Sequence, residues 1–225
     1  MKIILTGATG YVGEGVLLEL LRSPQVEKVL SVSRRPTGIL QGEYPTLTPA
    51  ETAKLEEYIV PDMMTLKAGD QHFEGYDAVF FIAGVTSIGT PIDAYDRISY
   101  DIPVHFADIM PDKNKMTFIY LSGAGTTPNG KQHWQQVKSR TEQETQAMGF
   151  RHAFAYRPAL MRWAKGQKHI QAIQYIFILF YPLTYIFRRA NNMTEVAHSM
   201  LVCTHDGYTK PAINPIDIQC LAKRI

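Results

Sequence analysis

"KIILTGATGYVG", residues 2–13, joins a short aliphatic run to three glycines spaced three apart. Lys2 to Thr6 reads as a buried strand, and Gly7, Gly10 and Gly13 read as a tight turn leading into a helix. Glycines there, with Thr9, Tyr11 and Val12 between them, let a pyrophosphate approach the backbone. The helix that follows offers it oriented N–H groups and a partial positive charge. That helix, "YVGEGVLLELLRSP", has one apolar stripe and stops before Pro24.

Working outward, "KVLSVSRRP" repeats the buried-strand pattern, as do "DAVFFIAG" and "KMTFIYLSGAG", and "RHAFAYRPAL" does so more weakly. Helical stretches separate them. Strands alternating with helices predict an α/β fold, a doubly wound parallel sheet covered on both faces. The expected Rossmann core spans residues 1–165, and residues 166–225 form a small C-terminal lid or substrate region completing the same domain. Between the second and fourth strands, "TPAETAKLEEY" predicts a surface helix, with Thr48 as N-cap, Pro49 at the first turn and Glu51 closing a capping box. "VPDMMTL" is then expected to supply the third strand.

Composition narrows the function. The 225 residues suit one large domain, and 45% hydrophobic and 20% charged residues are ordinary for a globular chain. A net charge of +2, with no basic stripe interleaved with aromatics, points away from nucleic acid. Two cysteines, Cys203 and Cys220, make no disulfide framework, and seven scattered histidines show no metal-ligand spacing, so no metal is expected. Met-Lys followed at once by a strand lacks the pattern of a signal peptide. A cytoplasmic location is expected.

"GATGYVG", "FFIAG", "YLSGAG" and "WQQVK" occur in an order and spacing that resembles the short-chain dehydrogenase/reductase superfamily, of the extended or atypical, epimerase-like type. The resemblance covers about residues 1–165. It implies NAD or NADP at the C-terminal ends of the strands. Where a carboxylate would favour NAD, the second strand ends in Ser33, Arg34 and Arg35. A guanidinium there suits the 2′-phosphate of NADP, although a pair of solvated arginines is the plainer alternative. By the same resemblance, Asp62 and Met63 lie at the adenine, Ala83 and Gly84 approach the cofactor through their backbone, and Pro158 and Ala159 meet the nicotinamide amide.

The superfamily's active site resembles Tyr-x-x-x-Lys with a Ser or Thr at the end of the fifth strand. Lys138 fits the Lys position and is expected to hold the nicotinamide ribose. The Tyr position carries Trp134, whose indole N–H is no usable acid near neutral pH. Gly123 aligns with the usual Ser, leaving Ser122 one position away as a candidate. Trp134 is then a wall of the cleft, a stacking platform or a simple helix anchor. Tyr95 and Tyr100 are candidates for a displaced acid, or else core or dimer-contact residues.

"AIQYIFILFYPLTYIF", residues 172–187, carries no charge and is rich in Phe and Tyr. It falls short of the about 20 residues of a spanning helix, and Pro182 interrupts it. A buried helix with a substrate lid, a patch dipping into a membrane surface and a protein-contact surface all fit. The expected function is an NADP-binding atypical reductase or epimerase acting on an unidentified small molecule. The alternative is a non-catalytic NADP sensor or partner-binding protein. A homodimer and a peripheral membrane contact are further expectations.

Overall fold

The computed structural model describes residues 1–170 and 172–224. Seven strands form one parallel sheet in the order β3-β2-β1-β4-β5-β6-β9. They are β1 (Lys2–Thr6), β2 (Lys28–Ser33), β3 (Leu55–Ile59), β4 (Ala78–Phe81), β5 (Thr117–Leu121), β6 (His152–Tyr156) and β9 (Ala212–Ile213). Strands β7 (Leu160–Arg162) and β8 (Ala190–Asn192) form a separate two-stranded parallel ribbon. The order reverses at β1, the switch point beside which dinucleotides bind in such sheets.

Period-two alternation divides the core between the two faces. Ile3 and Leu5 of β1, with Phe80 of β4 and Ile119 of β5, face α1 (Tyr11–Arg22) and α8 (Met193–Asp206). Ile4, Val79, Phe81, Phe118 and Tyr120 face the other side, against Phe106 and Ala107 of α4 (Ile102–Asp108). Phe106 meets Phe73 and Phe81 edge-on, with ring centres 5.5 and 5.6 Å away. Helix α9 (Pro215–Leu221) packs on α8 and buries Ile218 and Leu221. Residues 193–221 thus belong to the main core.

The third strand differs from the sequence expectation. Helix α2 covers only Pro49–Thr52, with the capping box in place, and "LEEY" at the end of the expected helix, with Ile59 after it, is β3. "VPDMMTL" instead turns through a single 3-10 turn at Met63–Thr65. The cause lies in the sheet edge. β3 pairs only with β2, so Glu56 and Glu57 remain half-exposed, and charge on an edge strand blunts unwanted pairing. Glu57 accepts from the backbone and hydroxyl of Thr37, both at 2.7 Å, so these acids serve the fold while hiding its strand signal.

Residues 172–187 form α6 (Ala172–Phe177), a 3-10 turn at Ile178–Phe180 and α7 (Tyr181–Ile186). The buried-helix expectation fails for most of their large apolar side chains: Tyr175, Ile176, Leu179, Phe180, Leu183, Ile186 and Phe187 are all exposed. The inward side of α7 is instead Tyr181 and Tyr185, which stack at 5.4 Å.

Candidate dinucleotide site

The turn after β1 is shaped by contact between backbones. Gly7 has φ +76, and a side chain there would meet the backbone nitrogen of Ala83 at 2.6 Å. A Cβ on Gly13 would stand 2.0 Å from the carbonyl oxygen of Gly7. The turns after β1 and β4 and the first turn of α1 therefore come together only because these positions are glycine. Thr6 locks them further: its hydroxyl accepts from the N–H groups of Ile82 and Ala83, each at 3.1 Å.

Gly10 caps α1 without a side chain, and the first helical bond runs from the Glu14 N–H to the Gly10 carbonyl at 2.8 Å. The N–H groups of Tyr11, Val12 and Gly13 precede that bond and so lack a partner within the helix. Gly10 is exposed and Thr9 half-exposed at the rim of this turn, as are Gly84 and Ala83 opposite. Tyr11 turns its hydroxyl away, donating to the Met161 carbonyl at 2.7 Å. Burial pushes that phenol up to about 12.

Thr6 pairs with Val32 in the sheet, so Arg34 and Arg35 follow directly beside the glycine turn. Both are exposed, and no acid engages either guanidinium among the described residues. The Ser33 hydroxyl donates to the Arg35 carbonyl at 2.7 Å and curls the strand end. Asp62 stands at the far side. Its carboxylate accepts from the Met64 N–H at 3.0 Å and from Arg97 at 2.7 Å. Met63 is buried behind it.

At the other end, Lys138 of α5 (His133–Ala147) donates to the Leu121 carbonyl at 3.2 Å and lies 5.2 Å over the Tyr120 ring. Burial pushes its ammonium down to about 8, opposed by Glu142. Glu142 receives both Nε and Nη2 of Arg157, the former at 2.9 Å. Pro158 follows, and its carbonyl accepts from the Ala124 N–H at 3.2 Å, which brings Pro158 and Ala159 beside the β5 turn.

A Cβ on Gly123 would meet Trp134 at 3.8 Å, and one on Gly125 would meet it at 3.7 Å. Positions 123 and 134 thus face each other, with the indole covering the turn. Ser122 is buried, and its hydroxyl lies 3.0 Å from that of Thr126, which donates in turn to the Gly123 carbonyl. Tyr95 is buried, and the Tyr100 ring is covered by Arg140 at 3.5 Å. Burial raises the Tyr95 phenol above its ordinary value.

The NAD dependent epimerase/dehydratase family model matches residues 3–167. The chain belongs to that family. Among solved structures, the epimerase/dehydratase fold recurs in UDP-glucuronic acid 4-epimerase from Bacillus cereus, a complex with NAD, at 13% identity and TM-score 0.66 over 95% of this chain and 76% of that one. It recurs in carbonyl reductase Sniffer of D. melanogaster at 11% identity and TM-score 0.60, covering 96% of each chain. The curated relative "Protein fmp52-1, mitochondrial" of Aspergillus terreus is 27% identical over 166 residues, 71% of this chain and 66% of its own. The chain thus spans just under two thirds of that relative's length. Several fungal relatives are named as mitochondrial, which overturns the expectation of a cytoplasmic location.

Sequence reading missed three residues whose contacts border this candidate site. Thr6 sits on a buried strand and looked like core. Arg97 lies 35 positions from Asp62, on a turn of π-helix spanning Arg97–Asp101 that no periodicity announces. His133, one residue before Trp134, has its Nε2 2.6 Å from a carboxylate oxygen of Asp96.

Proposed function

We propose that the chain binds NADP(H) and acts as an atypical reductase or epimerase on a small molecule, without the usual tyrosine acid. The observation that carries this reading is the pair of exposed guanidiniums, Arg34 and Arg35, which no acid engages among the described residues, beside the glycine turn. A 2′-phosphate suits them, whereas a ribose hydroxyl would call for an acid that the strand end lacks. The N–H groups of Tyr11, Val12 and Gly13 suit the pyrophosphate, Lys138 the nicotinamide ribose, and the backbone of Ala83, Gly84, Pro158 and Ala159 the remaining edges. A bound nicotinamide would supply or accept the hydride. Lys138 would orient the ribose, and Trp134 would wall the substrate side and exclude water.

A second reading, a non-catalytic NADP sensor, draws on one observation: Trp134 covers the β5 turn where the family pattern has its tyrosine and serine. Two measurements test this, the first the NADP preference common to both readings and the second the difference between them. Calorimetry should give tighter binding of NADPH than of NADH by about tenfold or more, since a charge-assisted phosphate contact is worth about 1.5–3 kcal/mol. Arg34→Ala with Arg35→Ala should erase the difference, and equal affinities in the native protein would refute NADP preference. NADPH oxidation across aldehydes, ketones and quinones, with sugar-nucleotide epimerisation followed separately, then tests for turnover. A protein that binds NADPH and turns over none of them supports the sensor.

A further inference from the structure

Residues 172–187 have helical periodicity pointing the wrong way for a soluble surface. Ile176, Leu179, Phe180, Leu183, Ile186 and Phe187 follow the i, i+3, i+4, i+7 spacing of a single stripe. All six are exposed, with Leu179 at 77%, Ile186 at 74% and Phe187 at 67%. The inward contacts are made by tyrosines: Tyr181 is buried, and the Tyr185 hydroxyl donates to Glu195 at the start of α8. The orientation is therefore fixed by a polar anchor, and the β7–β8 ribbon holds the segment at both ends.

Charge selects the occupant. No acid stands between Arg157 and Glu195. Arg162 and Lys165 precede the stripe, Arg188 and Arg189 end it, and all four side chains are exposed. Tyr175 packs on Trp163 at 5.1 Å at the rim, the residue types that favour the level of lipid headgroups. Two helices of six residues reach only about 9 Å each, far less than a bilayer's hydrocarbon core. Among the described residues no helix is long and apolar enough to cross a membrane.

We propose that residues 175–187 are a membrane-surface contact that lays the stripe from Ile176 to Phe187 into the headgroup boundary of an anionic bilayer, with Arg188 and Arg189 against the lipid phosphates. An apolar stripe flanked along the chain by exposed cations, with Glu195 taken up by Tyr185 and Glu43 by Lys168, fits a negative lipid surface; a protein partner would need an apolar socket ringed with acids.

The test is co-sedimentation of the full chain with phosphatidylcholine vesicles, with and without phosphatidylglycerol, at low and high salt. The protein is expected to pellet with the anionic vesicles at low salt and to release as salt screens the arginines. Leu179→Ser with Ile186→Ser should weaken binding by about tenfold or more, given the apolar area lost. Arg188→Gln and Arg189→Gln should each weaken it about fivefold. Because these positions are exposed, thermal unfolding followed by circular dichroism should stay unchanged. Leu183→Ser with Phe187→Ser provides a second pair should the first misfold. Failure to pellet at low salt would overturn the proposal, as would pelleting that neither serine pair reduces. So would a lipid-free dimer that the serine pairs dissociate while vesicle binding is absent, for the stripe would then be an interface between copies.

Discussion

The Lys138 ammonium donates to the carbonyl oxygen of Leu121, tying α5 to the last residue of β5. The helix is thereby held at the C-terminal end of β5. Burial of the ammonium between helix and strand, and not the bond itself, pushes its pKa down to about 8.

That shift predicts a pH dependence with a definite sign. Below about pH 8 both folded and unfolded chains hold the proton, and the cost of burying the charge is paid in full. Between about 8 and the ordinary lysine value of 10.5, the unfolded chain binds more protons than the folded one. The free energy of unfolding should therefore rise through that window, by up to about 1.4 kcal/mol per pH unit from this group. Urea titrations of the native protein and of Lys138→Met should differ in slope there and run parallel below pH 7.

Gly13→Ala should be among the most damaging single substitutions. Its Cβ would collide with the Gly7 backbone at 2.0 Å, where no flexible side chain can yield. The loss should exceed the about 1–3 kcal/mol typical of overpacking. If the protein still folds, calorimetry should find dinucleotide binding abolished, because α1 has backed away from the turn.

The Arg157–Glu142 pair is almost closed to solvent on the carboxylate side and sits between Lys138 and Pro158. Arg157→Ala would strand the Glu142 carboxylate and should cost about 3 kcal/mol in denaturant unfolding. Replacing both, by Arg157→Met with Glu142→Leu, should recover much of that loss, since no unpaired charge remains.

Trp134→Phe removes no acid and should leave any turnover within about tenfold of native. Trp134→Tyr with Gly123→Ser tests the same geometry by construction. A Cβ on Gly123 meets only the indole, at an ordinary 3.8 Å, so serine fits without strain at the turn. NADPH-dependent reduction of a simple aldehyde, absent or weak in the native protein, should rise in the double variant. A pH–rate profile whose basic limb disappears on Trp134→Phe would instead place proton control on the indole.

How legible this was depended on how local each signal is. β1, its turn and α1 occupy consecutive residues, and the glycines report their own crowding. β3 was missed because an edge strand needs only one partner, leaving Glu56 and Glu57 free to look helical. Arg97 and Asp62 meet only once the sheet has brought the segments after β3 and β4 to one end, so neither residue signals the other. In residues 172–187 the stripe could be read, but the direction it faces could not. That depends on Tyr185 finding Glu195, a contact decided by the fold.

One consequence of the packing of α1 on α8 concerns synthesis. Leu17, Leu20 and Leu21 are synthesised long before Val196, Met200 and Cys203, their partners near residue 200. At about 5–20 residues per second, the aliphatic face of α1 waits roughly ten to forty seconds for its cover. Until then the nascent chain carries the glycine turn and half a core open to water. A ribosome-stalled series should therefore show protease resistance on that face only once α8 has left the exit tunnel.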